Sequence, residues 1–498
     1  MKTMKKFVCL VLVLTLCLTA LPVQAAGFGN SDAPVTRAMI SSAIWTLEGE
    51  PVVNYILPFT DVKQDADYAE AVRWAASEKI VSGVGGGMLQ PEGNVTREQL
   101  AVMLYRYAQS IGMDTSIGEE TNILSYTDFM QWSNWAVSAL QWAVGSDLLN
   151  EKEGGYLDAR GIVTQKEAGQ IFARFEELSA LSLWTLGARA RQEITAYMRE
   201  ITDETSESFI PVKDRIAVFD LDGTLFCETD PNYFDYTLLA YRVLEDPDYK
   251  DKASDFEKEV ANKIKQQNET GASFSGLEID HGKAVASAFA GMTVSEFNAY
   301  IQEFKKLPMP SYEGMTRGGG WYLPMLQIVD YLKANDFTVY VVSGTDRLIV
   351  RGIVYNSPLK LPNRQLIGSD ETIVSSNQDG RDGLDYVFAE GDDLILGGEF
   401  LIKNLKRNKV SVIMQEIGQQ PVLSFGNSTG DSSMAESVTS GNKYKSLAFM
   451  LCCDDLAREN GNESKAQKMY TLCEEFDWVP ISMKNDWTTI YGAGVTKK

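Results

Sequence analysis

The sequence predicts an α/β protein: a small all-α bundle built from repeats, followed by a parallel sheet that carries a helical cap. Three observations lead there. Helical segments echo one another before residue 180, short apolar runs alternate with helical patterns from about residue 209, and a long helical stretch separates the first two of those runs. Repeats mark stacked supersecondary units, and alternating strand and helix patterns mark a parallel sheet. An insertion of roughly a hundred residues is far longer than an ordinary loop. At 498 residues the chain exceeds one compact core, and about 100 to 200 residues per domain gives two or three.

Residues 1–26 come first. Lys2, Lys5 and Lys6 precede the apolar run FVCLVLVLTLCLTAL, and Val23-Gln24-Ala25 supplies small residues for cleavage. This is the pattern of a secretory signal peptide, too short for a membrane span of about 20 apolar residues. An uncleaved anchor is the alternative. Cys17 follows the bulky Leu16, which speaks against lipoprotein processing. No second such run appears, so no membrane span is expected after signal removal. The formal charge of −22 would become about −25 without the three lysines, as suits an acidic, soluble extracellular protein. No basic stripe is present to neutralise phosphates, which excludes nucleic acid as a partner.

Outside the signal lie Cys227, Cys452, Cys453 and Cys473, which match neither a dense disulfide framework nor paired zinc-ligand spacing. One disulfide from Cys473 to Cys452 or Cys453, or four buried free thiols, are both compatible with that spacing. His281 is the only histidine, so carboxylate and lysine chemistry is favoured over any histidine-based mechanism.

The repeats follow. FTDVKQDADYAEAVRWAASEKIVSG (from Phe59) is echoed by YTDFMQWSNWAVSALQWAVGSDLLN (from Tyr126), and VTREQLAVMLYRYAQ (from Val95) by VTQKEAGQIFARFEEL (from Val163). VTRAMISSAIWTL, from Val35, is an orphan copy of the second half. Each Val-Thr pair offers an N-cap threonine, with Glu98 and Glu167 suited to the helix dipole in the first turn. Apolar residues at three- and four-residue spacing predict amphipathic helices that pack together. These segments resemble S-layer homology (SLH) modules over about residues 31–178. That resemblance implies a pseudo-threefold bundle that binds a secondary cell-wall polymer, with the arginine of the Thr-Arg pair at the groove. Arg37 and Arg97 hold that position, whereas the third copy has Gln165.

Residues 179–208 predict a helical connector ending in the polar stretch TDETSES. The catalytic pattern begins at RIAVFDLDGTLF (Arg215 to Phe226). Ile216 to Phe219 predict a buried strand with Asp220 at its carboxyl end, where open α/β sheets bind ligands. Asp222 lies two residues on, and like charges so placed resist joint ionisation. A hard, oxygen-seeking cation, preferably Mg²⁺, would offset the repulsion. Three later segments join the set: FTVYVVSGTDR ends a strand at Ser343 and Gly344, NKVSVIMQEIG opens a helix at Lys409, and PVLSFGNSTGD ends a strand before Asn427, Ser428 and Asp431.

Each residue type answers a need of phosphoryl transfer. Asp220 can attack phosphorus, and Asp222 can protonate the leaving oxygen and then activate water. Ser343 can hydrogen-bond a phosphoryl oxygen, with Thr224, Gly344 and Asn427 beside it, and Lys409 can compensate charge on nucleophile and phosphate. Asp431 would complete a metal site with Asp220 and the backbone carbonyl of Asp222.

The order DLDGT, strand-Ser, Lys, GNSxGD strongly resembles the haloacid dehalogenase (HAD) superfamily, over about residues 214–441. The resemblance implies a HAD-like Rossmannoid sheet in a domain at 209–498, with a cap at about 227–322, and Asp222 at plus two implies its phosphatase branch. Asn427 departs from the more frequent GDGxxD pattern. YTLLAYRVL, FEKEVANKIKQ, HGKAVASAFA and VSEFNAYIQEF supply the cap helices. Tyr233, Phe234, Tyr236, Trp321 and Tyr322 are expected to pack cap against core, an aromatic cage for a quaternary ammonium being the alternative. His281 is expected to be structural or solvent-facing, and TIVSSNQDGRDGLDYVFAEGDDLIL to form a β-hairpin. Together these features describe a secreted, wall-associated, Mg²⁺-dependent phosphomonoesterase acting on small phosphate esters. Phosphotransfer to another acceptor, or a decayed HAD-like surface-binding protein, are the competing functions.

Overall fold

The computed structural model describes residues 27–498 apart from Thr229 and Pro231. The segment expected to be a signal peptide, residues 1–26, lies outside the described residues. The chain forms two compact units, 1–182 and 183–498.

In the first unit the regular elements among the described residues are helical, the longest being Arg37–Leu47, Arg97–Ser110 and Gln165–Ala180. Thr36, Thr96 and Thr164 cap them, each accepting from the backbone N–H three residues on, which satisfies a donor the helix itself leaves open. The three Val-Thr openings are tied in a closed ring. Val35 N donates to Val163 O, Val95 N to Val35 O, and Val163 N to Val95 O, at 2.9–3.0 Å. The next turn repeats the pattern: Arg37 N to Gly93 O, Arg97 N to Gly161 O, and Gln165 N to Ala33 O. Three equivalent openings related by one closed set of bonds give this unit a local threefold character. Val35, Val95 and Val163 are fully buried within it, as are Trp142, Phe172 and Phe175.

The second unit centres on a seven-stranded sheet. Its strands are β1 (Ile216–Phe219), β3 (Thr338–Asp346), β4 (Leu366–Ser375), β5 (Leu394–Ile402), β6 (Leu423–Gly426), β7 (Leu447–Cys452) and β8 (Val479–Ser482). They lie in the order β5-β4-β3-β1-β6-β7-β8. All pairs are parallel except β4 with β5, which form the antiparallel hairpin. Two short strands, β2 (Tyr312–Glu313) and β9 (Thr496–Lys497), pair separately. β1 is apolar and buried at every position because both faces of the sheet are covered. Phe219, Phe425 and Phe449 stack across β1, β6 and β7 at 4.2 and 4.8 Å.

Between β1 and β3 lie four helices in the insertion, Phe234–Leu244, Asp255–Thr270, Leu277–Ala288 and Val294–Lys305, followed by the helix Leu323–Ala334 that leads back into β3. Ser254 and Thr293 open two of them with reciprocal capping boxes. The expected aromatic packing is present. Phe226 meets Trp321 at 5.0 Å and Phe234 at 6.2 Å, and Phe234 meets Phe304 at 5.3 Å. The segment read as a connector folds into the second unit from residue 183 on. Its helix Arg189–Thr202 buries Tyr197, whose hydroxyl donates to Lys445 O at 3.0 Å. Cys227, Cys452, Cys453 and Cys473 form no disulfide among the described residues, and Cys452 and Cys473 belong to one apolar cluster with Trp478. No described helix is long and apolar enough to cross a membrane.

Candidate active site

The carboxyl ends of β1, β3 and β6 meet at one point, because the three strands are neighbours in register. Asp220 follows β1, Ser343 to Asp346 end β3, and Asn427 follows β6. Immediately after Asp220 the chain turns through Gly223, whose φ of +80° is a left-handed value that glycine adopts without strain. A Cβ there would collide with the side-chain amide of Asn427. That amide therefore lies directly over the turn joining Asp220 to Thr224.

Lys409 sits in the first turn of the helix Arg407–Glu416 and is fully buried. Its ammonium donates to Asp220 Oδ1 and Asp431 Oδ1, both at 2.6 Å. Burial alone would lower its pKa, but the two carboxylates outweigh that effect and hold it above the ordinary value, so the group stays charged. Asp431 is held on its other side, where Oδ2 accepts from Asn427 N, Ser428 N and Ser428 Oγ at 2.9–3.2 Å. Burial and the charge of Asp431 raise Asp220 above the usual carboxylate range, and Lys409 offsets only part of this.

Asp222 is raised further, first by burial and then by the charges of Asp235, Asp220 and Glu228. Burial and these neighbouring charges favour the protonated form of Asp222, the form a proton donor requires. Thr345 Oγ1 donates to Asp222 Oδ2 at 2.8 Å, while Asp222 Oδ1 is buried without a hydrogen-bond partner. Ser343 is buried, with its Oγ accepting from Thr345 N at 3.1 Å. Asn404 Nδ2 donates to Ser343 O, and Ser369 Oγ donates to Gly344 O. These bonds fix the end of β3. Thr224 is fully buried, and its hydroxyl also lacks a partner.

Asp220, Asp222, Thr224, Ser343, Gly344, Lys409, Asn427 and Asp431 thus come from four distant segments to the ends of three adjacent strands. Thr345, Asp235 and Glu228 are the residues that motif reading passed over. Thr345 had a signal: two positions beyond Ser343, it shares that strand face. Asp235 had none, since it reaches Asp222 only through the folding of the cap. Of the two placements expected for His281, structural or solvent-facing, the structure has the buried one, with the ring stacked on Tyr236 at 3.9 Å.

Arg37 and Arg97 lie in the first unit. Arg97 is buried, paired with Glu167, and donates to Asn150 O at 2.8 Å. Arg37 is half-buried and reaches Gln99 Oε1 at 3.4 Å. Each therefore contacts the residue three beyond the capping threonine of the next copy. For Gln165 that residue is Met39, which offers no acceptor of comparable strength, and Gln165 instead accepts from Gly29 N.

Residues 58–101 match the family model of the S-layer homology domain. An endoglucanase of Bacillus sp. strain KSM-635 is 24% identical over 201 residues, 40% of this chain and 20% of its own. The exoglucanase XynX of Acetivibrio thermocellus is 30% identical over 138 residues, 28% of this chain and 12% of its own. The chain thus spans a fifth or less of the length of these curated relatives. Among solved structures, a functionally unknown protein from Anaerococcus prevotii has a TM-score of 0.38 at 14% identity, covering 59% of this chain and 91% of that one. Cytosolic 5'-nucleotidase IIIB bound to cytidine has a TM-score of 0.36 at 12% identity, with 60% and 88% covered. A phosphoserine phosphohydrolase-like protein from Francisella tularensis has 0.28 at 15%, with 52% and 92% covered. Likenesses this distant leave function to the side chains.

Proposed function

We propose that the second unit is a HAD-type phosphomonoesterase that hydrolyses small phosphate esters through an aspartyl phosphate. The observation that carries this reading is the buried Lys409 ammonium bridging Asp220 and Asp431, with Asp222 poised beside it. Asp220 attacks phosphorus with the carboxylate oxygen that Lys409 leaves open, and the ester P–O bond breaks. Asp222 delivers its proton to the departing alkoxide through the unpartnered Oδ1, then takes a proton from the water that hydrolyses the phosphoaspartate. Ser343, Thr224 and the backbone at Gly344 hold phosphoryl oxygens, and Lys409 balances the charge that collects there.

The residues also suit Mg²⁺. Asp222 feels the charges of Asp235, Asp220 and Glu228, while the Lys409 ammonium bonds Asp220 and Asp431, so a further cation would relieve the repulsion that remains. Among the described residues no group of three or more His, Cys, Asp or Glu is spaced to hold a metal. The ligands would therefore be mixed oxygens: the Asp220 carboxylate, the Asp222 carbonyl, and the Asn427 amide or Asp431 from the fourth segment. Bound there, the ion would supply Lewis-acid stabilisation of phosphoryl charge.

The test is phosphate release by the purified protein from a panel of phosphate esters, with Mg²⁺ and with chelator. Metal-dependent release is expected, and no release from any ester under either condition overturns the reading. Thr345→Val removes the donor that fixes Asp222, and kcat is expected to fall on the order of tenfold, the scale of one hydrogen bond to a charged group. An unchanged kcat would remove Thr345 from the positioning of Asp222.

We further propose that the first unit retains the chain at the cell wall by binding a secondary wall polymer, with the half-buried Arg37 as the contact while Arg97 stays buried against Glu167, and with export directed by residues 1–26. The matched S-layer homology segment and the threefold ring of openings support this. Co-sedimentation with purified wall material checks it. Arg37→Ala is expected to weaken retention, and equal sedimentation of the variant and the unaltered protein would count against a polymer role for Arg37.

A further inference from the structure

A second polar constellation lies beside the first and, apart from the charge that Asp235 exerts on Asp222, takes no part in the steps above. Asp235, His281, Asp346, Ser369, Glu371 and Lys403 line a cavity of about 10 Å³, closed on its apolar side by Val285 and Phe400. It adjoins the reacting groups through two short links. Asp346 follows Thr345, the donor to Asp222, and Ser369 donates to the carbonyl of Gly344 at 2.6 Å.

Its walls carry polar groups without partners. Both oxygens of Glu371 and both ring nitrogens of His281 are buried with no hydrogen bond, and the nearest carboxylate to the imidazole, Asp235 Oδ2, is 3.8 Å from Nδ1. Leaving four such atoms unsatisfied in a folded interior is costly, unless a ligand completes them. Burial holds His281 down to about 4, so its ring is neutral and offers an acceptor nitrogen at physiological pH. Glu371 is raised by burial and by the charges of Asp346 and Asp370, the signature of a carboxyl that lacks a counter-ion. Lys403 is the one cation on the wall and is half-exposed, where water screens it.

We propose that this cavity receives a primary ammonium group, so that the phosphate esters this chain hydrolyses are those of small primary amino alcohols. The proposal rests on the phosphatase reading and deepens it. An ammonium carries three N–H donors, which match the Glu371 oxygens and a His281 nitrogen, whereas a hydroxyl carries one donor. Size agrees as well, since a cavity of roughly 10–15 Å³ admits one water-sized group. A trimethylammonium group is larger and has no N–H to offer. With the leaving oxygen at Asp222, a short carbon chain would carry the amine toward Asp235.

The probes are O-phosphoethanolamine, ethyl phosphate, which lacks only the amine, and phosphocholine, in which the amine is trimethylated. With the full-length protein and Mg²⁺, kcat/KM for phosphoethanolamine is expected to exceed both others by about tenfold or more, because a site built for N–H donors rejects analogues without them. Glu371→Gln is expected to reduce the phosphoethanolamine-to-ethyl-phosphate ratio by about tenfold, the value of a hydrogen bond to a charged group. Should that variant fail to fold, Asp235→Asn is expected to lower the same ratio. Equal kcat/KM on ethyl phosphate and phosphoethanolamine, or a ratio unmoved by the folded variant, overturns the ammonium site and leaves the phosphatase reading standing. No hydrolysis of any ester overturns both.

Discussion

Asp220→Asn is expected to lower phosphate release by at least about 10³-fold, the scale on which removing a covalent nucleophile acts, while the protein keeps its fold. The amide is isosteric with the carboxylate and can still accept from Lys409, whose second bond, to Asp431, is untouched. Stability is expected to hold or rise. The native carboxylate is raised by burial and by Asp431, so its charged form is disfavoured in the folded state, and a neutral group removes that strain. The sign follows from linkage: a carboxyl raised on folding contributes stability that is complete below its unfolded pKa and lost as pH rises through the folded one. The thermal midpoint of the variant should therefore gain on that of the unaltered protein as pH rises from 5 toward 8. Steady-state phosphate release and thermal unfolding across that range check both halves. Turnover within a factor of a few of the original rate would remove Asp220 from the chemistry.

Much of this site was legible because the sheet forces it together. Asp220, Ser343 and Asn427 each sit at the carboxyl end of an apolar run, and in a parallel sheet those ends face one side. Residue type then supplied the roles. Asn427 was named from its segment, but its place over Gly223 is a consequence of the left-handed turn, which a linear pattern does not display. Thr345 was half legible, through strand periodicity alone. The Glu371 and His281 cavity was hidden for a different reason. Its walls come from the helices Phe234–Leu244 and Leu277–Ala288 and from β3, β4, β5 and the segment after β5, so it exists only once cap and hairpin are folded. The hairpin was readable from its DG turns, whereas the inward aim of Glu371 depends on a register that shifts between Asp370, Glu371 and Ile373.

Lys409→Met separates two roles that the unaltered side chain combines. Methionine approximates the volume of the stem but removes the ammonium bonded to both Asp220 and Asp431, leaving two buried carboxylates without their shared cation. Breaking a buried pair by deleting one partner costs about 3–5 kcal/mol, so the second unit is expected to unfold at markedly lower temperature, and phosphate release to fall by about 10² or more through lost charge stabilisation. Asp431→Asn added to Lys409→Met removes one of the two stranded charges and is expected to recover most of the stability. It is not expected to recover turnover, since the phosphoryl group still lacks its cation. Lowering the pH toward 5 should narrow the single variant's deficit, because protonation relieves the same repulsion that the second substitution removes. Turnover restored along with stability would mean that Lys409 serves only to hold the fold.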